Sequence, residues 1–316
     1  MMVKYPKLIF KTPRNFTDKN IDSFLYEIQD IFLKSYHKDQ LIILELNKTT
    51  TIDICAILVL YKFMEYTAIH KLFYSPFVNI DGSYIQNKLY QYGFNDLFKF
   101  IINNFDNKSN KEYCNLKTKT EEDFIIAPKP LLRYSEDVKK DIEEKYYKKI
   151  ESYYNFDRRV VTMIFTCISE AIINFMAHAT SDSRSILVAM GNKSSIKIAC
   201  VDNGDGIITT MRRCEKYKNI KLSSKIMYLA LQKHITSKEG TPYHMGCGLW
   251  IIDEIVTKSR GHLYIYSEGV KYSNISGKKK FEECAKWKGT IISIGLLFEN
   301  TVTPEDIMRI DNDIFM

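Results

Sequence analysis

The chain has 316 residues, 45% of them hydrophobic and 26% charged, with a formal net charge of +7. That length accommodates two domains of ordinary size, and that balance excludes a disordered or fibrous chain. The surplus lysine is dispersed among Asn, Ile and Tyr and is compact only at Lys278-Lys279-Lys280, so it reads as a generic basic surface. The N-terminal MMVKYPKLIF carries no cleavable leader pattern. The richest apolar run, ICAILVLYKFM, is broken by Lys62 and reads as a buried helix, so no membrane span is expected. Seven cysteines, with no CxxC pair and no His/Cys metal spacing, suit the reduced thiols of a cytoplasmic protein.

Taken in chain order, LIILELN predicts a buried strand and IDICAILVLYKFMEYTAIH an apolar helix. SPFVNI predicts a second strand and SYIQNKLYQYGFNDLFKFI an amphipathic helix. Strand, helix, strand, helix implies a small α/β domain over residues 1–105 with neighbouring strands parallel. Residues 106–134 are polar and aperiodic and end in the proline-bearing APKPLL, which predicts a linker or peripheral segment. A second domain follows over 135–300. EDVKKDIEEKYYKKIESYY and DRRVVTMIFTCISEAIINFMAHA predict helices, and SILVAM and IKIACVD predict strands joined by a GNKSS hairpin. Helices around KIMYLALQKH and over GLWIIDEIVTKS precede the strands HLYIYSE and TIISIGLL. This order predicts a mixed sheet with helices stacked on one face. Residues 301–316 read as a C-terminal tail.

Within SEAIINFMAHA, Glu170, Asn174 and His178 fall four apart. Steps of four drift by only about 40° around a helix, so all three look the same way. They form a solvated stripe or a site. VDNGDGI ends a strand with Asp202, Gly204 and Gly206. It reads either as an ordinary turn or as a carboxylate beside backbone that a ligand can approach. HMGCGLWIIDEIV sets Gly246, Gly248 and Leu249 at the start of a helix, where free N–H groups and the helix dipole favour phosphate. The chain lacks GxxxxGK[ST], so it is not a P-loop protein.

The ordered set is more specific than any piece. Glu-x3-Asn-x3-His on a helix, strand-Asp-x-Gly-x-Gly, Gly-x-Gly-Leu opening a helix, and Gly289-Thr290 on a strand resemble the GHKL ATPase superfamily. That group contains histidine kinases, anti-sigma-factor serine kinases, DNA gyrase, MutL and the ninety-kilodalton chaperone. The resemblance covers residues 140–297 and implies a Bergerat ATP-binding fold, a two-layer α/β sandwich, with ATP and Mg²⁺ as ligands. It implies that Asn174 is the Mg²⁺ ligand and that Asp202 accepts from the adenine amino group. Gly204 and Gly206 would shape the adenine pocket, Gly246, Gly248 and Leu249 the phosphate turn, and Thr290 the adenine end. Glu170, one turn before Asn174, would serve as general base. His178 reads either as a phosphate-side contact or as a helix histidine packed on a strand. Ser237 and Lys238, in the breaker-rich TSKEGTPYH, read as phosphate contacts of a lid or as solvated loop residues.

More loosely, residues 5–103 resemble a STAS domain, the fold of anti-sigma-factor antagonists. Asp53-Ile54-Cys55-Ala56 stands where that family carries Asp-Ser-Ser-Gly, so the acceptor hydroxyl is missing and a protein-docking or homodimer-forming role is implied. Thr49, Thr50 and Thr51 lie nearby as ordinary strand-end threonines. Together the resemblances imply an ATPase or a regulatory protein kinase working by nucleotide-dependent partner switching. The alternatives are a non-catalytic nucleotide-gated binding module and an ATP-driven clamp acting with a partner protein or nucleic acid. None of the six histidines is followed by Glu or Asp, which disfavours an orthodox sensor histidine kinase.

Overall fold

A computed structural model describes residues 7–33, 41–70, 75–79, 83–103, 124–132, 141–155, 157–179, 184–235 and 246–313. The N-terminal part contains β1 (Lys7–Lys11), β2 (Asn15–Phe16), α1 (Ile21–Ile28), β3 (Leu41–Glu45), β4 (Thr51–Ile52), α2 (Ile54–Ile69) and β5 (Ser75–Asn79). Strands β1, β3 and β5 form a parallel sheet in that order, as the strand–helix–strand pattern predicts. The long amphipathic segment after β5 forms two helices, α3 (Ser83–Gln91) and α4 (Phe94–Asn103). They separate at Gly93, whose φ of +71° is left-handed backbone that glycine adopts without cost.

The remainder builds a seven-stranded sheet from β6 (Phe124–Leu132), β7 (Arg184–Gly191), β8 (Ser195–Asp202), β9 (His262–Ser267), β10 (Val270–Ile275), β11 (Lys278–Glu283) and β12 (Thr290–Leu297), in the order β11-β10-β9-β12-β8-β7-β6. Its pairings are antiparallel throughout, which corrects the expectation of a mixed sheet; parallel pairs belong to the N-terminal part. The helices are α5 (Tyr147–Tyr153), α6 (Arg158–His178), α7 (Gly206–Arg212), α8 (Ser223–Ala230), α9 (Gly248–Lys258) and α10 (Pro304–Asp313).

Four elements depart from the sequence reading for identifiable reasons. Phe124–Leu132, expected within the linker, is the edge strand β6 paired with β7. Pro128 and Pro130 read as breakers, but an edge strand needs no outward N–H and so tolerates proline. Strands β10 and β11 were not anticipated. Two-residue turns at Glu268-Gly269 and Ser276-Gly277 join β9 to β10 and β10 to β11, all four residues having positive φ. That is type I′ geometry without the usual Asn-Gly signature. Residues 304–313 form α10 rather than a tail. Thr303 N donates to Asp306 Oδ2 at 2.9 Å, Asp306 N donates to Thr303 Oγ1 at 3.4 Å, and Pro304 takes the first helical position.

Each central strand of the large sheet is apolar on both faces, and the alternation divides cleanly. Leu187, Ala189, Ile198, Cys200, Leu263, Ile265, Ile292 and Ile294 pack with α6, α7, α8 and α9. Ile186, Val188, Ala199, Val201, Tyr264, Tyr266 and Ile291 pack with α1, α2 and the parallel sheet. The sandwich therefore carries a third layer, with α2 lying on β7 and β8. Helix α6, rather than the ICAILVLYKFM run, is the helix long and apolar enough to cross a membrane by length and composition among the described residues. In the fold it lies against the sheet with Val160, Ile164, Ile168, Ile172 and Phe175 buried.

Where the N-terminal layer meets the sheet, charge is buried. Lys197 Nζ lies 2.6 Å from Asp18 Oδ2 and 2.5 Å from Asp53 Oδ2. Asp18 also accepts from Ser293 Oγ at 2.8 Å and sits 3.3 Å from His262 Nε2. Asp53, in the expected loop, is the N-cap of α2 and accepts from Ala56 N at 2.8 Å. The Lys278-Lys279-Lys280 run is edge strand β11. Lys279 Nζ there pairs with Asp253 at 2.7 Å and Lys280 with Glu282 at 2.6 Å. Such lysines blunt an edge against further strand pairing.

Candidate functional site

A cavity of about 190 Å³ opens between α6, the ends of β8 and β12, α7 and the start of α9. Each wall has a local cause. Helix α6 is started by Asp157, whose carboxylate accepts from Arg159 N and Val160 N. It buries Cys167, Ile168, Ala171, Ile172 and Phe175, which turns Glu170, Asn174 and His178 to the cavity. The polar stripe of the sequence thus faces a hollow rather than bulk solvent.

Strand β8 delivers Asp202 at its end, 6% exposed, with Gly204 N donating to its Oδ1 at 2.7 Å. The next turn enters α7 through Gly206 at φ +78°, where a Cβ would stand 2.5 Å from Glu268 Oε2. Glu268 closes that turn by accepting from Thr209 N at 2.8 Å and from the Thr209 hydroxyl. Ser267 Oγ accepts from Ile207 N and donates to Gly289 O, both at 2.9 Å. It thereby clips the Asp202 turn to the Gly289-Thr290 strand end. Gly289 has φ +110°, and a Cβ there would strike the Asp202 carbonyl oxygen.

The third wall is the turn before α9. Gly246, at φ +66°, rests against the backbone of His234 and Ile235, so the chain at Ile235 and at Gly246 meets. Gly248 opens α9 with no side-chain cap among the described residues. A Cβ on it would lie 2.5 Å from Glu170 Oε2 and 3.5 Å from Asn174 Nδ2. The first N–H groups of this helix, which have no partner within the helix, therefore look across at the acid and the amide of α6.

Among the expected site residues, Glu170, Asn174, His178, Asp202, Gly206, Gly246, Gly248, Leu249 and Thr290 all line this one cavity. Gly204 does not; it packs on Ala179 and serves to hold the Asp202 carboxylate. Ser237 and Lys238 lie outside the described residues. Ser267, Glu268 and Cys200 were not anticipated, because a single polar residue ending or interrupting a strand carries no spacing signal. The apolar lining of Ile173, Ile207, Met211, Ile235 and Ile292 was likewise legible only as core.

Two chemical features stand out. Burial pushes the Glu170 carboxyl above the ordinary carboxylate range, toward the value a general base needs near neutrality. Asn174 Nδ2 is buried with no hydrogen-bond partner among the described residues, a cost of about 1–3 kcal/mol that a bound group would relieve. Cys200, at the cavity floor, has its thiol pushed up to about 12 by burial and is inert as a nucleophile. Among the described residues there is no group of three or more His, Cys, Asp or Glu able to hold a metal by themselves.

No protein-family model matches the chain, and no curated protein matches it. Among solved structures, the topoisomerase IV ATP binding domain of Francisella tularensis, in complex with a small-molecule inhibitor, aligns with 60% of this chain at 14% identity and a TM-score of 0.23. The alignment spans 47% of that structure, about half its length. A TM-score that low carries no weight, and the site stands on its own geometry.

Proposed function

We propose that the chain binds ATP with Mg²⁺ in this cavity, as a member of the GHKL group, and that it hydrolyses the nucleotide or passes its terminal phosphate to a protein hydroxyl. The observation that carries the reading is the convergence of a buried strand-end carboxylate, an α6 acid–amide pair and an uncapped glycine-started helix on one hollow. Asp202 offers its carboxylate to an amino-bearing base on the apolar side, among Ile207, Met211 and Ile292. The α9 start, across from Glu170 and Asn174, offers N–H groups to phosphate.

The residues fit Mg²⁺. This ion takes few protein ligands and keeps water and phosphate oxygens. Asn174, whose Nδ2 is buried with no hydrogen-bond partner among the described residues, would supply one ligand through Oδ1 once its amide is flipped end for end. When bound, Mg²⁺ neutralises charge building on the phosphates. Glu170 takes the proton from a water or hydroxyl as its oxygen attacks the terminal phosphorus and the bond to the leaving ADP oxygen breaks. The proton then passes from Glu170 to solvent or product. Inorganic phosphate as the product marks hydrolysis; label retained on a protein marks transfer. In this reading the N-terminal layer is a docking element, and Asp53 serves as a helix cap and ion-pair partner rather than a phosphorylation site.

Asp202→Ala tests the reading. Removing a charged hydrogen-bond acceptor from a buried site is expected to weaken ATP binding by about ten- to a hundredfold. Calorimetry is the measurement, and wild-type affinity in a folded variant would sink the assignment.

A further inference from the structure

Building on the adenine reading, we infer that Trp287 is a positioning residue for Asp202, and that through it the N-terminal layer sets the preference for adenine over guanine. The β8–β12 ladder runs out at Val201 and Ile291. Beyond it the Asp202 carbonyl accepts a hydrogen bond from Trp287 Nε1 at 2.9 Å, a contact spanning 85 residues of sequence. The indole thus takes the place of the ladder donor at the residue whose carboxylate faces the base.

The backbone that carries the indole is itself held at two successive carbonyls. Glu268 N donates to the Trp287 carbonyl at 3.3 Å, and Asn203 Nδ2 donates to Lys288 O at 3.3 Å. Trp287 is 1% exposed, so its ring cannot swing without moving its neighbours. One of those neighbours, Phe32, belongs to the N-terminal layer. Phe32 meets the indole edge-on at 5.4 Å between centroids and meets Tyr66 of α2 at 5.0 Å. Lys288 Nζ lies over the Tyr66 ring at 5.3 Å. An unbroken chain of rings therefore joins α2 to the backbone of the base-reading acid.

The consequence is chemical. Adenine presents an amino donor where guanine presents a carbonyl acceptor, so a carboxylate held at a fixed place attracts one and repels the other. Discrimination of this kind depends on position to fractions of an ångström. A side chain that fixes the Asp202 backbone controls selectivity without touching the nucleotide.

The test uses the full chain and measures ATP and GTP affinity by calorimetry for wild type, Trp287→Phe, Phe32→Leu and Asp202→Ala, with thermal unfolding as the check on folding. Trp287→Phe keeps an aromatic ring and loses only the N–H and one ring. It is expected to weaken ATP binding by about two- to tenfold, the worth of one neutral hydrogen bond, and to narrow the ATP-to-GTP ratio by the same factor. Phe32→Leu is expected to shift the ratio in the same direction. An unchanged ratio in folded Trp287→Phe, or in Phe32→Leu should the first variant not fold, overturns the inference while leaving the adenine reading intact. Wild type that does not bind ATP, or Asp202→Ala that binds it normally, overturns the adenine reading and this inference with it.

Discussion

Glu170→Gln is expected to slow ATP turnover by about 10²–10⁴-fold while leaving ATP affinity within a few fold. The reason is position. Glu170 lies across from Gly248 and one helical turn from Asn174, beside the helix start proposed to hold the phosphates. It would touch the reacting oxygen and not the base. Its pH behaviour supplies a second check. Burial holds the carboxyl above its ordinary range, so turnover should climb as pH rises through that elevated value and the base ionises.

The same shift carries a stability sign. The native chain holds the Glu170 proton more tightly than the unfolded chain, so ionising it at neutral pH costs stability. Glu170→Gln should therefore melt higher than wild type at pH 7, and the gain should vanish once pH falls below the ordinary carboxylate range. Equal turnover in a folded variant rules out the base role. Loss of ATP binding in that variant would mean that Glu170 belongs to the binding surface instead.

The second large effect concerns the seam between the layers. Lys197→Met is expected to cost about 3–5 kcal/mol of unfolding free energy, the usual result of removing one partner from a buried charge cluster. Two carboxylates, Asp18 at 2% side-chain exposure and Asp53 at 17%, would then face each other without their shared cation. Burial alone would raise the Asp18 pKa, but His262 and Lys197 outweigh it and hold the carboxyl well below its ordinary range. Asp18 thus contributes stability above the ordinary Asp pKa, and that stability is lost as pH falls through the depressed native value. Asp53 moves the other way, raised by burial and partly offset by Lys197. In the variant, acid protonates the uncompensated pair and relieves it, so the deficit measured by urea unfolding should shrink between pH 7 and about pH 4. A deficit that does not change with pH would mean that Lys197 matters for packing and not for charge.

Much of the candidate site was legible because it obeys local spacing rules. Residues four apart share a helix face whatever the helix packs against, which put Glu170, Asn174 and His178 together before any fold was known. Glycines before α9, after β8 and before β12 mark backbone that must bend or be approached closely, and Gly246, Gly206 and Gly289 do have positive φ. The strand–helix order likewise fixed an α/β protein. What stayed illegible was long-range or masked by composition. The proline-bearing β6 looks like a linker until its place at the sheet edge is known, because proline is forbidden only where both sides of a strand are paired. The turns at Glu268-Gly269 and Ser276-Gly277 hide β10 and β11, since left-handed Glu and Ser carry no strong local preference.

The division follows from the range of the forces involved. Helix periodicity, caps and glycine conformations are set by neighbours within about four residues, so the sequence by itself determined the face of α6, the glycine-started helix and the acid at the end of β8. The covering of the sheet on its second face, the burial of Lys197 between Asp18 and Asp53, and the reach of Trp287 to the Asp202 carbonyl join residues that are many tens of positions apart. No local preference encodes such pairings. They arise only when the sheet, apolar on both faces, must shed water from both, and that demand draws the N-terminal layer onto it.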